Sequence, residues 1–363
     1  MKAIIVKPPL KGAEIKDIDD AIGREGNLKI KIIESGICGT DREIVNGNLS
    51  TAANPPDSNF MVLGHEAIGI LREDAEHLRK GDVVMPINRR GCGKCINCIT
   101  GRPDFCETGE FREAGIKKMH GFMKEYIYDN EQSLVLVPKE LRHHAILAQP
   151  LSDLEKSLSE VFSVQKRLMW TCIDGTYNCR KALVIGTGSI GTLASLLLKS
   201  SGFSVYVANR RTASDKESKI FDSTGIKYLN AGDDLELVKQ KGFTFDLIIE
   251  TSGTDAELLT KSIRVLKNNG IIGLFGFSSF GTASLDYKDI QKIVYGSLAI
   301  VGLINGQKPH FERALLRLAE WNSTWPDITK LLITRTININ DHDLVISALR
   351  KKETGEIKVK ISW

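Results

Sequence analysis

Ala182-Leu-Val-Ile185-Gly186-Thr-Gly188-Ser-Ile-Gly191 is the stretch that decides how this chain folds. A short apolar run, read as a buried strand, ends in three glycines spaced G-x-G-x-x-G, and Leu193, Leu196 and Leu197 then follow at helical spacing. Between strand and helix each glycine has a physical task. Gly186 makes the tight turn, Gly188 lets the backbone approach a pyrophosphate, and Gly191 lets the helix pack close on the strand. The helix N-terminus adds partial positive charge and unpaired N–H groups for the phosphates. Thr187, Ser189 and Ile190 lie in the same turn and complete the expected dinucleotide loop.

Outward from this turn the pattern repeats. Val205–Ala208, Leu247–Ile249 and Ile271–Phe275 are short apolar runs separated by helical patterns. Near-continuous apolar strands alternating with helices predict a parallel sheet covered on both faces. The fold class is therefore α/β, with a Rossmann-type doubly wound sheet over about 151–307. Upstream, to about Pro150, the texture is β-rich, with alternating runs at Leu28–Ile33, Tyr126–Tyr128 and Leu134–Val137 between Gly, Pro and Asn turns. Leu154–Gln165 carries the transition as a helix. From 308 onward a helix over Phe311–Trp321 precedes the alternating run Ile357-Lys-Val-Lys-Ile361, so the tail is expected to return to the β-rich domain.

The residues after the second strand of the parallel sheet set the nicotinamide cofactor. An acidic residue there would accept hydrogen bonds from the 2′-hydroxyl of NAD and repel a 2′-phosphate. This chain has Asn209-Arg210-Arg211 instead, an amide and two guanidinium groups suited to a phosphate dianion. The expectation is NADP, with NAD tolerated because nothing acidic enforces it.

Cys92, Cys95, Cys98 and Cys106 form a C-x2-C-x2-C-x7-C run within a lobe at about 90–108. Four thiolates suit a tetrahedral zinc and leave no open position, so this zinc is expected to be structural. Composition narrows the rest. At 363 residues the chain suits two domains, and a net charge of +4 with interspersed signs argues against a nucleic-acid partner. No apolar run approaches the roughly 20 residues of a membrane helix. MKAIIVKPPLKG has no signal-peptide core, and the cysteine usage fits a reducing compartment, so a cytosolic location is expected. Cys172 and Cys179 read as reduced packing thiols, with a disulfide the alternative in a hyperthermophile.

A second metal set lies upstream. Cys38-Gly-Thr-Asp41 and Gly64-His65-Glu66 supply a thiol, an imidazole and a carboxylate, the ligand types of a catalytic zinc that keeps a position open. In order, C-G-T-D, G-H-E-x-x-G, the four-cysteine lobe and the glycine-rich turn resemble the zinc-containing medium-chain dehydrogenase/reductase superfamily. The stretches Cys38–Gly47, Pro86–Gly91, Gly101–Cys106, Gln149-Pro150 and Asn305–Phe311 are most similar to its archaeal glucose 1-dehydrogenases. The resemblance implies a GroES-like catalytic domain joined to the Rossmann domain, and a homotetramer.

It also implies Cys38 and His65 as ligands of the catalytic zinc, with Glu66 close enough to join or exchange. Gln149 stands at the fourth ligand position, either binding zinc directly or holding its water. Thr40, Asn88, Glu113, Gln149, Asp153 and Asn305 match the family's sugar site. Phe275, Gly276, Phe277, Leu303 and Asn305 match the rest of its dinucleotide site. The implied reaction is oxidation of the C1 hydroxyl of an aldose, D-glucose foremost, to the aldonolactone with reduction of NADP or NAD. Thr40, a zinc-bound water and Glu66 are the candidates for the proton relay. The rival readings are a polyol, secondary-alcohol or threonine dehydrogenase and, less well supported, a non-catalytic NADP-binding sensor or a zinc-module nucleic-acid binder.

Overall fold

The computed structural model describes residues 1–230, 242–253, 255–276 and 281–363. They divide into two compact units, 1–152 with 305–363, and 153–304. The handovers differ slightly from the expected 150/151 and 307/308. Helix α2 (Ala148–Gln165) begins six residues before the predicted helix and runs through the first handover.

The first unit is built on strands β1 (Leu28–Ile37), β2 (Ala67–Leu71), β3 (Val83–Pro86), β4 (Tyr126–Asp129) and β5 (Leu134–Leu136). Alternation in β1 puts Ile30 and Ile32 on a core face with Leu71, Val84, Ile127 and Leu134. β1 turns directly into the short helix α1 (Gly39–Val45), which carries the C-G-T-D motif.

The second unit holds six parallel strands: β6 (Lys181–Ile185), β7 (Ser204–Asn209), β8 (Lys227–Asn230), β9 (Phe245–Glu250), β10 (Leu266–Leu274) and β11 (Ala299–Gly302). Their order is β8-β7-β6-β9-β10-β11. The order reverses between β6 and β9, the switch point where such sheets take dinucleotides. All six residues of β9 are buried, as expected for a central strand covered on both faces. Helices α3 (Ser189–Ser200) and α4 (Asp215–Thr224) follow β6 and β7.

The tail, 305–363, belongs to the first unit. Strand β12 (Ile333–Asn338) pairs parallel to β13 (Lys358–Ser362), and β13 pairs antiparallel to β1. β13 thus lies inside a sheet ordered β5-β3-β2-β1-β13-β12. Its alternation would ordinarily put the lysines in water. Instead Lys358 and Lys360 are both buried, and each Nζ meets a carboxylate, of Glu66 and Glu34 respectively.

Cys172 and Cys179 correct one expectation, because they form a disulfide rather than packing as thiols. A turn in which Gly175 N–H donates to Cys172 O and Cys172 N–H to Thr176 O brings their Cα atoms to 5.9 Å, within bridging range. The closed loop carries Tyr177, whose ring stacks on Phe203 at 5.0 Å between centroids. No helix among the described residues is long and apolar enough to cross a membrane.

Candidate active site

Cys38, His65 and Glu66 each present one ligand atom within 4.8 Å of the others. Local structure explains the clustering. Cys38 is the N-cap of α1, and its N–H donates to Asp41 Oδ2 at 2.8 Å. The other oxygen of Asp41 lies 3.3 Å from His65 Nδ1, so one buried carboxylate holds the cysteine backbone and faces the imidazole. A carboxylate behind a histidine orients the ring for a metal on its far nitrogen. Burial opposes charging of His65, but Asp41 and the Cys38 sulfur outweigh it and draw its pKa well up.

Glu66 is completely buried, and both its oxygens accept from Lys358 Nζ at 2.7 Å. Room for this carboxylate comes from Gly36 on β1, where a Cβ would stand 1.9 Å from Glu66 Oε2. The donor set fits a zinc ion. Soft sulfur, imidazole nitrogen and carboxylate oxygen are its usual ligands, and a dication would add positive charge beside the buried carboxylates of Asp41 and Glu66, of which Glu66 already meets Lys358.

The expected sugar residues divide as follows. Thr40 is half-buried at the second position of α1. Asn88, Glu113, Gln149 and Asn305 are all buried in the first unit. The Asn88 Oδ1 and Asn305 Nδ2 atoms are buried with no hydrogen-bond partner. Unpaired buried amide atoms cost free energy unless a ligand meets them. Asn305 also has φ of +55°, a left-handed conformation that asparagine tolerates better than most residues. Glu113 accepts from Arg89 Nε at 2.9 Å, and that guanidinium stacks over Phe111. Gln149 lies in the first turn of α2, and Asp153 is four residues further along the same helix face. Asp153 is half-buried and is the first residue of the second unit.

The sulfurs of Cys92, Cys95, Cys98 and Cys106 also lie within 4.8 Å of one another. A Zn–S4 tetrahedron with bonds of about 2.3 Å has S···S edges of about 3.8 Å, so the loop matches it. The Thr108 hydroxyl and the N–H groups of Cys95 and Lys94 hold Cys92 down at about 5. Burial pushes Cys98 up to about 12. A bound cation would level this difference between Cys92 and Cys98, since each ligand sulfur would be a thiolate.

In the second unit Gly186 turns with φ of +104°, and a Cβ on Gly191 would stand 2.1 Å from Gly186 O. Gly188 is the N-cap of α3, and Ile190 is in its first turn. The Ser189 hydroxyl is buried there with no partner, a donor ready for a phosphate oxygen. Thr187 accepts from Asn209 Nδ2 at 2.5 Å, which ties the loop to the end of β7. Arg210 is exposed. Arg211 is held by Glu217 through two hydrogen bonds of 2.6 and 2.7 Å. The Phe275 and Gly276 N–H groups both donate to Glu250 O, Leu303 is buried, and Phe277 lies outside the described residues.

Four residues escape a reading of the sequence: Asp41, Arg89, Glu217 and Lys358. Asp41 sits inside the C-G-T-D motif, which is its one local signal. The partners of Arg89 and Lys358 are brought together by strand pairing, which spacing does not reveal.

Two family models match the chain. Residues 24–139 match the alcohol dehydrogenase GroES-like domain, and residues 142–362 match the glucose dehydrogenase C-terminus. Glucose 1-dehydrogenase 1 of Picrophilus torridus is 55% identical over 363 residues, covering 100% of each chain. Glucose 1-dehydrogenase 2 of Saccharolobus solfataricus is 51% identical over 367 residues, again covering 100% of each. Among solved structures, Haloferax mediterranei glucose dehydrogenase in complex with NADP, zinc and gluconolactone superposes with a TM-score of 0.88. Its identity is 26%, over 100% of this chain and 99% of that one.

Proposed function

The chain belongs to the glucose 1-dehydrogenase family of zinc-containing medium-chain dehydrogenases, and on that premise we propose that it oxidises the C1 hydroxyl of an aldose, D-glucose foremost, to the aldonolactone. The hydride goes to NADP or NAD. The observation that carries this reading is the clustered set of half-buried Cys38 with buried His65 and Glu66, in the same unit as the unpartnered amides of Asn88 and Asn305.

Cys38 and His65 would hold the catalytic zinc, with Glu66 or Gln149 joining or flanking them. Zinc held there supplies Lewis acidity, which lowers the pKa of an alcohol near it. The remaining work falls to the chain itself. Asp41 keeps the Cys38 backbone in place and faces His65. Thr40 offers a hydroxyl that can pass the C1 proton outward. Asn88, Glu113, Gln149, Asp153 and Asn305 supply donors and acceptors for the sugar hydroxyls, and such groups disfavour analogues that leave them unpaired. Arg89 keeps Glu113 aimed. The four cysteines at 92, 95, 98 and 106 would close around the structural zinc.

Initial rates on a panel of aldoses and polyols, with each cofactor, test the reading. Aldoses are expected to exceed polyols clearly, and faster oxidation of a polyol or secondary alcohol would replace the sugar assignment. Arg210→Ala is expected to lower kcat/KM for NADP by about tenfold or more, the scale of one charge-assisted hydrogen bond, and to leave NAD nearly unchanged. An unchanged cofactor ratio would sink the phosphate assignment.

A homotetramer is the assembly proposed. Strand β11 is a sheet edge with Ile300 exposed, and helix α5 (Tyr287–Tyr295) exposes Tyr287, Val294 and Tyr295. An exposed apolar edge is a template for pairing with another copy. Sedimentation is expected to give four chains, and Ile300→Lys to give smaller species. A wild-type monomer would refute the assembly. Dependence on a dinucleotide kept inside cells supports a cytosolic location.

A further inference from the structure

Arg211, the second of the two adjacent arginines that follow β7, is bound by Glu217. This residue occupies the third position of α4 and closes a capping box with Ser214. Its side chain is fully buried. One oxygen, Oε2, accepts from Ser214 N–H at 2.7 Å, from the Ser214 hydroxyl at 2.8 Å and from Arg211 Nη1 at 2.7 Å. The other, Oε1, accepts from Arg211 Nη2 at 2.6 Å.

Arg211 is thereby almost spent. Nη1 also donates to Thr212 O at 2.9 Å and Nη2 to Thr187 Oγ1 at 3.3 Å. A guanidinium has five N–H donors, so these bonds leave Nε–H for a ligand. Its charge is already balanced by a carboxylate in direct contact. Burial pushes the Glu217 carboxyl up, but the Arg211, Thr187 and Ser214 hydrogen bonds outweigh it and hold it at about 2, so the balancing charge persists at neutral pH.

We infer that Glu217 limits the enzyme's preference for NADP over NAD, by cancelling the charge of Arg211 beside the 2′-phosphate site. Arg211 then serves as a fixed plane tied to Thr187 of the glycine-rich turn. Glu217 acts through Arg211, so it is a positioning residue. The inference rests on the assignment of Asn209, Arg210 and Arg211 to the 2′-phosphate.

The test is the ratio of kcat/KM for NADP to that for NAD. NAD lacks the phosphate, so general damage to the pocket moves both values together and leaves the ratio alone. Glu217→Gln keeps the capping box, since glutamine serves at that position. Removing one negative charge on the order of 8 Å from a dianion in water corresponds to roughly fivefold. The ratio is therefore expected to rise by about that factor in Glu217→Gln.

In the Arg211→Gln, Glu217→Gln double variant both charges go together, and the ratio is expected to stay within about twofold of wild type. An unchanged or lower ratio in folded Glu217→Gln overturns the inference. So does a fall of about tenfold in the double variant, the loss expected if Arg211 were a direct phosphate ligand. Should Glu217→Gln fail to fold, the double variant, which leaves no lone buried charge, decides alone. Arg210→Ala separates the two levels. If it lowers the ratio while Glu217→Gln does not raise it, this inference alone fails; if Arg210→Ala leaves the ratio unmoved, the phosphate assignment fails and takes the inference with it.

Discussion

Replacing His65 or Cys38 with alanine is expected to lower aldose oxidation by at least about a thousandfold, while NADP binding and the fold survive. Lewis-acid activation of an alcohol contributes several kcal/mol, and about 4 kcal/mol is that factor in rate. The survival of the rest follows from the division of labour. The dinucleotide loop and its helix belong to the second unit, and both ligands belong to the first. Metal content per chain is expected to fall from two zincs to one, because the four sulfurs of the lobe cluster without Cys38 or His65.

A parallel measurement on Cys95→Ala sharpens the assignment, since it removes the other ion and acts on the lobe. Turnover retained in both His65→Ala and Cys38→Ala would rule out the zinc chemistry. Loss of both metals from His65→Ala would mean that the two sites are not independent.

What the sequence makes legible, and what it hides, follows one physical line. The glycine-rich turn, the apolar strands around it and the four-cysteine loop are local. Their geometry is written in residues a few positions apart, so spacing alone reveals the Rossmann order and the closed metal lobe. The catalytic set is not local in this way. Cys38 and His65 come together because β1 and β2 pair, and resemblance to known sequences was needed to join them. Least legible are the buried countercharges. Lys358 reads as the solvent face of an alternating strand, and its partner lies 292 residues away. Glu217 reads as an ordinary acidic residue in the first helical turn, yet it consumes most of an arginine that spacing assigns to the cofactor. In each case the missing information is burial. A charged residue becomes informative once it is known to be out of water, because it must then have a partner.

Lys358→Met is expected to destabilise the protein by about 3–5 kcal/mol, and the size of that loss should depend on zinc. Lys358 and Glu66 are 1% and 0% exposed, and breaking such a pair leaves an uncompensated buried charge. The Lys358→Met, Glu66→Gln double variant is expected to recover much of the loss, because a neutral pair avoids the desolvation cost that the charges carry. In Lys358→Met alone, a zinc bound at Cys38 and His65 would be the candidate replacement cation for the carboxylate. If Glu66 joins the zinc held by Cys38 and His65, the ion supplies the compensation that the lysine no longer gives. Denaturant unfolding of the zinc-loaded variant should then show a clearly smaller loss than unfolding of the chelated variant, each measured against wild type in the same metal state. Equal losses in the two states would mean that Glu66 stays out of the zinc's reach and serves as the partner of Lys358. A loss within about 0.5 kcal/mol in both states, the scale of an ordinary surface substitution, would overturn the buried pair as a source of stability.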